Sequence, residues 1–166
     1  MKKKQFFLLF LVFLLMFNSI SCINIKKSIL SYNNQMQKDS DYMKNYEELS
    51  AELVRMELNN EADLNNYKAV IQNQMLPNLK ESLAYLKSIK TKSKELNQIH
   101  LALVISREKL INVYTSYLTD LTIDNFLSKQ DELKSNLIQI EHLENAYNIE
   151  LQNFHSHNGF NIERLD

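Results

Sequence analysis

The near absence of glycine and proline is the feature that most restricts how this chain can fold. The 166 residues include one glycine, Gly159, and one proline, Pro77. Hairpin turns, barrel corners and phosphate-binding loops use glycine wherever the backbone needs a positive φ angle. The counts therefore disfavour sheet-rich folds and glycine-rich cofactor motifs, and they predict an all-α chain.

Apolar residues recur at spacings of three and four along four stretches, which predicts long amphipathic helices. The third stretch is the most regular: Leu96, Ile99, Leu103, Leu110, Tyr114, Tyr117 and Leu121. Polar residues interrupt the pattern at Asp39 and Ser50 in the first stretch and at Gln130 and Glu144 in the fourth. In the first stretch this predicts a partly frayed helix or a surface reserved for a partner helix.

Short polar connections join stretches of similar length. This pattern predicts an antiparallel up-down bundle of three to four long helices over residues 29–158, followed by a tail over 159–166. Asn60 in "NNEAD" is a candidate N-cap for the second helix. Pro77 has no backbone N–H, so it predicts a kink or a restart near Met75. Gly159 predicts the end of the last helix.

The N-terminal residues have the layout of a secretory signal peptide. Three lysines, Lys2 to Lys4, precede an apolar run from Phe6 to Phe17 and then the polar "NSIS" before Cys22. This run is shorter than the roughly 20 residues that a helix needs to cross a membrane. We therefore expect residues 1–21 to be removed; the alternative is an uncleaved anchor from Phe6 to Ile25. Either arrangement places the rest of the chain outside the cytoplasmic membrane.

The tetrapeptide "SISC", which ends at the only cysteine of the chain, Cys22, resembles the lipobox of bacterial lipoproteins. The resemblance implies cleavage between Ser21 and Cys22, a diacylglyceryl group and acyl chains such as palmitate on the thiol, and a short tether over residues 22–28. Two acyl chains anchor a protein well, since each buried CH₂ contributes about 0.8 kcal/mol. The commonest lipobox has Leu and then Gly or Ala where this chain has Ser19 and Ser21.

Charge and composition restrict the partners. The formal net charge is −1, and removal of the three lysines in residues 1–21 brings it to −4. Nucleic-acid binding requires a basic stripe, so we expect no nucleic-acid partner. With a single cysteine, no intramolecular disulfide can form, and packing must supply the stability.

The sequence has no recognisable catalytic motif, and we expect a protein without enzymatic activity. A di-iron bundle uses Glu-x-x-His motifs, and no Glu of this chain has a His three positions later. His155 and His157 in "FHSHNG" are a weak candidate for a surface metal site, and no other metal or cofactor is expected. Four tyrosines on the predicted apolar seams are candidates to line a slot for a small apolar ligand: Tyr67, Tyr114, Tyr117 and Tyr147.

A broader resemblance covers roughly residues 66–162. "MLPNLKESLAYLKSIKTKSKELNQIHLALVISREKLINVY", a long last helix and the closing "HNGFNIE" are similar to small helical lipoproteins and signal-anchored envelope proteins of low-GC Gram-positive bacteria. Richness in Asn, Lys and Ile is equally similar to spirochaetal surface lipoproteins, many of which bind host molecules. The resemblance implies an outward-facing, lipid-anchored membrane protein that binds or scaffolds at the cell envelope. The alternatives are a carrier of a small apolar ligand and a surface-exposed binder of a host factor.

Overall fold

A computed structural model describes the backbone of residues 2–160 and the side chains of residues 25–160. The described residues are helical apart from short connections, and no strand occurs among them, which confirms the predicted all-α class. The helices are α1 (Lys2–Arg55), α2 (Glu61–Val70), a π-helix (Ile71–Met75), α3 (Leu76–Ser88), α4 (Lys94–Leu118) and α5 (Phe126–His157). Because α2, the π-helix and α3 follow one another directly, the described residues form four helical stretches.

The predicted lipidation site falls outside the residues whose side chains are described. This applies to Ser21, to Cys22 and to the predicted signal peptide, while the predicted tail is described only as far as Phe160. Residues 25–28, which the sequence assigns to the tether, belong to α1, and Ser28 at their end is buried.

Local hydrogen bonds explain where the helices begin and end. Asn60 caps α2, since its side-chain oxygen accepts from the backbone N–H groups of Ala62 at 2.9 Å and Asp63 at 3.1 Å. This confirms the N-cap predicted from the sequence. Gly159 follows α5 with a φ angle of 74°, a value that glycine adopts without strain, and it confirms the predicted helix end.

The π-helix lies immediately before Pro77. At its end the N–H of Leu76 donates to the carbonyl of Ile71, five residues earlier, and α3 then begins with Pro77 in its first turn. A proline inside a regular α-helix lacks one donor, and its ring clashes with the carbonyl four residues earlier. The π-helix and restart provide a first-turn position for Pro77, which confirms the restart predicted near Met75.

Helix packing divides the buried apolar residues into two clusters. Helix α4 packs against α3 and α5, and α3 also packs against α1. The first cluster, here called the far cluster, includes Leu53, Leu64, Met75, Tyr114 and Leu133. The second, the near cluster, includes Ile29, Tyr32, Leu86, Leu96 and Phe154. Ile29, Tyr32 and Asp39 are buried within a continuous α1, so the first helix is packed there and the predicted partial fraying was wrong. The alternative, a surface for a partner helix, stays a prediction.

Candidate binding groove

A layer of polar side chains lies between the two apolar clusters. Arg107 donates from Nη2 to Oδ2 of Asp39 at 3.2 Å, and Ser82 donates from Oγ to Oδ1 of Asp39 at 2.6 Å. Asp39 and Arg107 are only 3% and 1% exposed. Beside them, the hydroxyl of Ser106 donates to Glu144 at 3.1 Å. The carboxylates that interrupt the predicted apolar pattern therefore have partners on neighbouring helices, which the buried charge of Asp39 requires.

Helices α1 and α4 share three polar contacts, and the sequence separation between the two residues is the same in each. Tyr32 contacts His100, Asp39 contacts Arg107, and Tyr46 contacts Tyr114, each pair being 68 positions apart. The three contacts lie seven residues apart along both helices. This is the repeat at which helices that pack side by side bring the same face back to their neighbour.

The contact in the near cluster belongs to a buried chain of hydrogen bonds. The ring Nε2 of His100 lies 2.9 Å from the carbonyl oxygen of Leu86, which can only accept, so Nε2 carries a proton. Nδ1 of the same ring lies 3.0 Å from the hydroxyl oxygen of Tyr32. That hydroxyl also forms a hydrogen bond with the hydroxyl of Tyr147 at 2.7 Å. Burial raises the pKa of Tyr147 to about 12, so this hydroxyl remains a donor at physiological pH.

An apolar groove of about 450 Å³ opens over the far cluster. The end of α1 and the start of α5 form its walls, and α2 and α4 contribute to its floor. Its lining includes Leu53, Val54, Met56, Phe126, Leu127 and Leu133. Val54 and Leu127 are 87% and 79% exposed, which is unusual for large apolar side chains beside a groove.

The tyrosines at the groove already have hydrogen-bond partners within the chain. Tyr114 bonds to Tyr46 at 3.0 Å, while Tyr67 accepts from Gln130 at 2.9 Å and from Tyr117 at 3.4 Å. Burial raises the pKa of Tyr67, which keeps its hydroxyl neutral. The groove therefore offers mainly apolar surface and a few neutral polar groups, the character of sites that hold apolar molecules.

The structure brings together most of the predicted tyrosine slot. Tyr67 and Tyr114 line the groove, and Tyr117 bonds to Tyr67 beneath it. Tyr147 lies instead in the near cluster. The groove also contains Tyr46, which was not among the four tyrosines of the predicted slot.

The two candidate metal ligands near the end of α5 are not brought together. His155 is 1% exposed, and neither ring nitrogen has a hydrogen-bond partner among the described residues. His157 is exposed and donates from Nδ1 to the carbonyl of Asn153 at 2.7 Å. Residues two apart in a helix project about 200° from each other, so the pair does not share a face. Among the described residues, no cluster of three or more metal-ligating side chains occurs.

Two polar residues of α4, His100 and Arg107, were missed as members of the core. Both lie in the heptad register that continues to Tyr114, and Arg107 falls between the apolar residues Leu103 and Leu110. A cation on the apolar seam of one helix and an anion, Asp39, on the seam of another together indicate a buried pair. That combination was readable from the sequence, whereas the pairing of the helices was not.

Comparisons of this chain with models of protein families, with curated proteins and with solved structures found no significant match. The groove and the polar layer are therefore interpreted from their own geometry. Within the range whose side chains are described, no helix has both the length and the apolar character needed to cross a membrane.

Proposed function

We propose that this chain is a lipid-anchored protein of the cell envelope whose helical body binds or scaffolds other molecules without catalysing a reaction. The observation that carries the proposal is the order of features at the N-terminus. Lys2 to Lys4, the apolar run from Phe6 to Phe17 and "SISC" follow the layout of a lipoprotein signal peptide. The packed body begins only a few residues after Cys22, at Ile25 and Ser28. The body would then stand close to the outer face of the cytoplasmic membrane.

We further infer that the four helical stretches form an antiparallel up-down-up-down bundle. The common offset of 68 positions supports the same direction for α1 and α4. Along α3 the contacts run the other way, since Tyr85 bonds to Gln35 and Asn78 bonds to Tyr42. Short connections between neighbouring stretches favour this arrangement.

The anchor is tested by the intact mass of the protein purified from membranes, with Cys22→Ala purified in parallel. The proposal predicts a mature chain that starts at Cys22 and carries acyl chains, and it predicts that the variant lacks this species. An unmodified mass that includes residues 1–21 would contradict lipidation and would favour the uncleaved anchor.

The groove favours a second candidate, a carrier of a small apolar ligand. Its volume of about 450 Å³ lies within the range of about 300–1,000 Å³ found for ligand sites. A ligand that binds only the folded state raises the melting temperature by mass action. A carrier should therefore be stabilised by members of a fatty-acid and alkyl-alcohol panel, whereas a protein that scaffolds through its surface should not be.

A charge introduced at the edge of the groove tests whether such a ligand binds there. Leu127 is 79% exposed, so Leu127→Glu places a carboxylate beside the groove without disturbing the core. This variant should lose the stabilisation. Ile149→Glu, at a position that is 58% exposed and outside the groove lining, is the matched control and should keep it. If the ligand raised the melting temperature of both variants equally, it would bind outside the groove.

A further inference from the structure

The two ends of the helical body carry opposite charge. Among the described residues, one end is formed by residues 25–31, 89–97 and 154–160, and the charged side chains in these ranges are five exposed lysines and Glu95. This end is here called the basic end, and its lysines are Lys26, Lys27, Lys90, Lys92 and Lys94. At the other end, residues 52–63 and 120–131 carry seven carboxylates against Arg55 and Lys129.

The lysines of the basic end come together because α1 meets the connection between α3 and α4. Lys27, Ser28 and Ser31 of α1 line a cleft of about 290 Å³ with Lys90, Thr91 and Lys92 of the connection. At the same end, the ammonium of Lys26 lies 5.9 Å from the centre of the Phe160 ring. The fold therefore gathers cations that are far apart in sequence.

The carboxylates of the described residues do not pair with this cluster. No salt bridge among the described residues involves any of the five lysines. Lys87, by contrast, lies in α3 about one turn before Lys90, and it pairs with Glu108 at 2.6 Å. Like charges held side by side repel one another, and an external anion would relieve that repulsion.

The basic end is also the end nearest to the predicted anchor. Lys27 follows Cys22 by five residues, which is about 7.5 Å along a helix. This distance is comparable to the Debye length of about 8 Å at physiological ionic strength, so charges here act on a surface at the level of Cys22. The carboxylate-rich end lies at the opposite end of α1, beside the groove.

We propose that the basic end docks on anionic lipid headgroups and holds the body upright, with the groove directed away from the membrane. This inference rests on the proposed anchoring at Cys22. Juxtamembrane lysines are attracted to anionic leaflets, and the attraction falls off within a Debye length. The same surface repels the carboxylates of the far end, so both ends favour one orientation.

The test compares lysine reactivity of the full chain in two kinds of vesicle, phosphatidylglycerol mixed with phosphatidylcholine and phosphatidylcholine alone. Acetylation rates of individual lysines are measured by mass spectrometry. Docking predicts that Lys90 and Lys92 react severalfold more slowly on the anionic vesicles, and that high salt abolishes the difference. Lys129 and Lys134, near the start of α5, should react equally on both.

A matched pair of double variants tests whether Lys90 and Lys92 themselves hold the basic end on the vesicle surface. Lys90→Gln with Lys92→Gln should weaken the protection of Lys27, whereas Lys129→Gln with Lys134→Gln should not. Equal lysine reactivity on both vesicles, in a chain that still floats with them, would overturn the docking and leave the anchor intact. A chain that floats with neither kind of vesicle would overturn both proposals.

Discussion

At the scale of single residues, Asp39 and Arg107 hold energetically costly positions, because both charges lie in the core. Each is almost fully buried, and Arg107 leaves Nε and Nη1 without a partner among the described residues. A buried ion pair contributes little net stability, because desolvation offsets the attraction, but an unpaired buried charge is strongly destabilising. The pair thus favours the one alignment of α1 and α4 in which both charges are compensated.

A double-mutant cycle tests this role. Arg107→Met or Asp39→Leu alone should lower the free energy of unfolding by about 3–5 kcal/mol, because each leaves one uncompensated charge in the core. The double variant should cost much less than the sum of the two. Urea unfolding measures all three. Glu108→Gln, which breaks the exposed pair with Lys87, is the control and should cost less than about 1 kcal/mol. Additive losses would show that the two charges do not interact.

His155 predicts a dependence of stability on pH. Burial lowers the pKa of this ring below its ordinary value of 6.5. The unfolded chain therefore binds a proton at pH values where the folded chain does not, and the free energy of unfolding falls as the pH drops below about 6.5. Above that pH this contribution is fully present.

The measurement is the free energy of unfolding above and below this pH. In His155→Leu the loss of stability on acidification should be smaller than in the unaltered chain. His157→Leu removes an exposed ring on the same helix and should leave the loss unchanged. Equal pH dependence in all three proteins would contradict the assignment to His155.

The polar interruptions show how far single residues could be predicted from the sequence. Asp39, Gln130 and Glu144 were recognised as breaks in the apolar pattern, and each makes a hydrogen bond to another helix. Their partners could not be assigned, because periodicity gives the face of a helix but not the neighbour that covers it. The same limit explains why the tyrosine slot included Tyr147, which lies on the right face but in the other cluster.

At the scale of helices, caps and proline were predictable because they act through the local backbone. Asn60 begins α2 through hydrogen bonds to backbone groups within three residues. Gly159 follows the end of α5 with its own positive φ angle. The π-helix at Ile71–Met75 was not predicted as such, since the sequence indicated only a kink or restart. The neighbours that cover the first helix were not predicted, because they belong to distant parts of the chain.

Pro77 should be tolerated at almost no cost in its present position. It lies in the first turn of α3, where a missing N–H is least harmful, so Pro77→Ala should change the free energy of unfolding by less than about 1 kcal/mol. Ala84→Pro, at an exposed site within α3, should cost about 3 kcal/mol or more. Urea unfolding compares the two. A large loss in Pro77→Ala would mean that the proline itself stabilises the restart.

At the scale of the whole molecule, one helical body has two different ends. The polar layer separates the near cluster, beside the basic end, from the far cluster, beneath the groove. The proposed bundle topology sets which helix termini share an end, and both the proposed membrane-facing surface and the groove depend on it. Helix direction is therefore the central claim.

Distances between pairs of spin labels, measured by pulsed electron paramagnetic resonance, test that claim most directly. The labels occupy four exposed apolar positions on α1 and α5: Leu30, Val54, Leu127 and Ile149. All labelled variants also carry Cys22→Ser, so that the spin labels attach only at the chosen positions. Labels at these positions avoid the core, so the variants should fold normally.

The antiparallel bundle predicts short distances for the pairs 54–127 and 30–149. The pairs 30–127 and 54–149 should be much longer, since positions 30 and 54 are about 36 Å apart along a helix. The opposite result, with 30–127 and 54–149 as the short pairs, would place α5 parallel to α1 and would contradict the account.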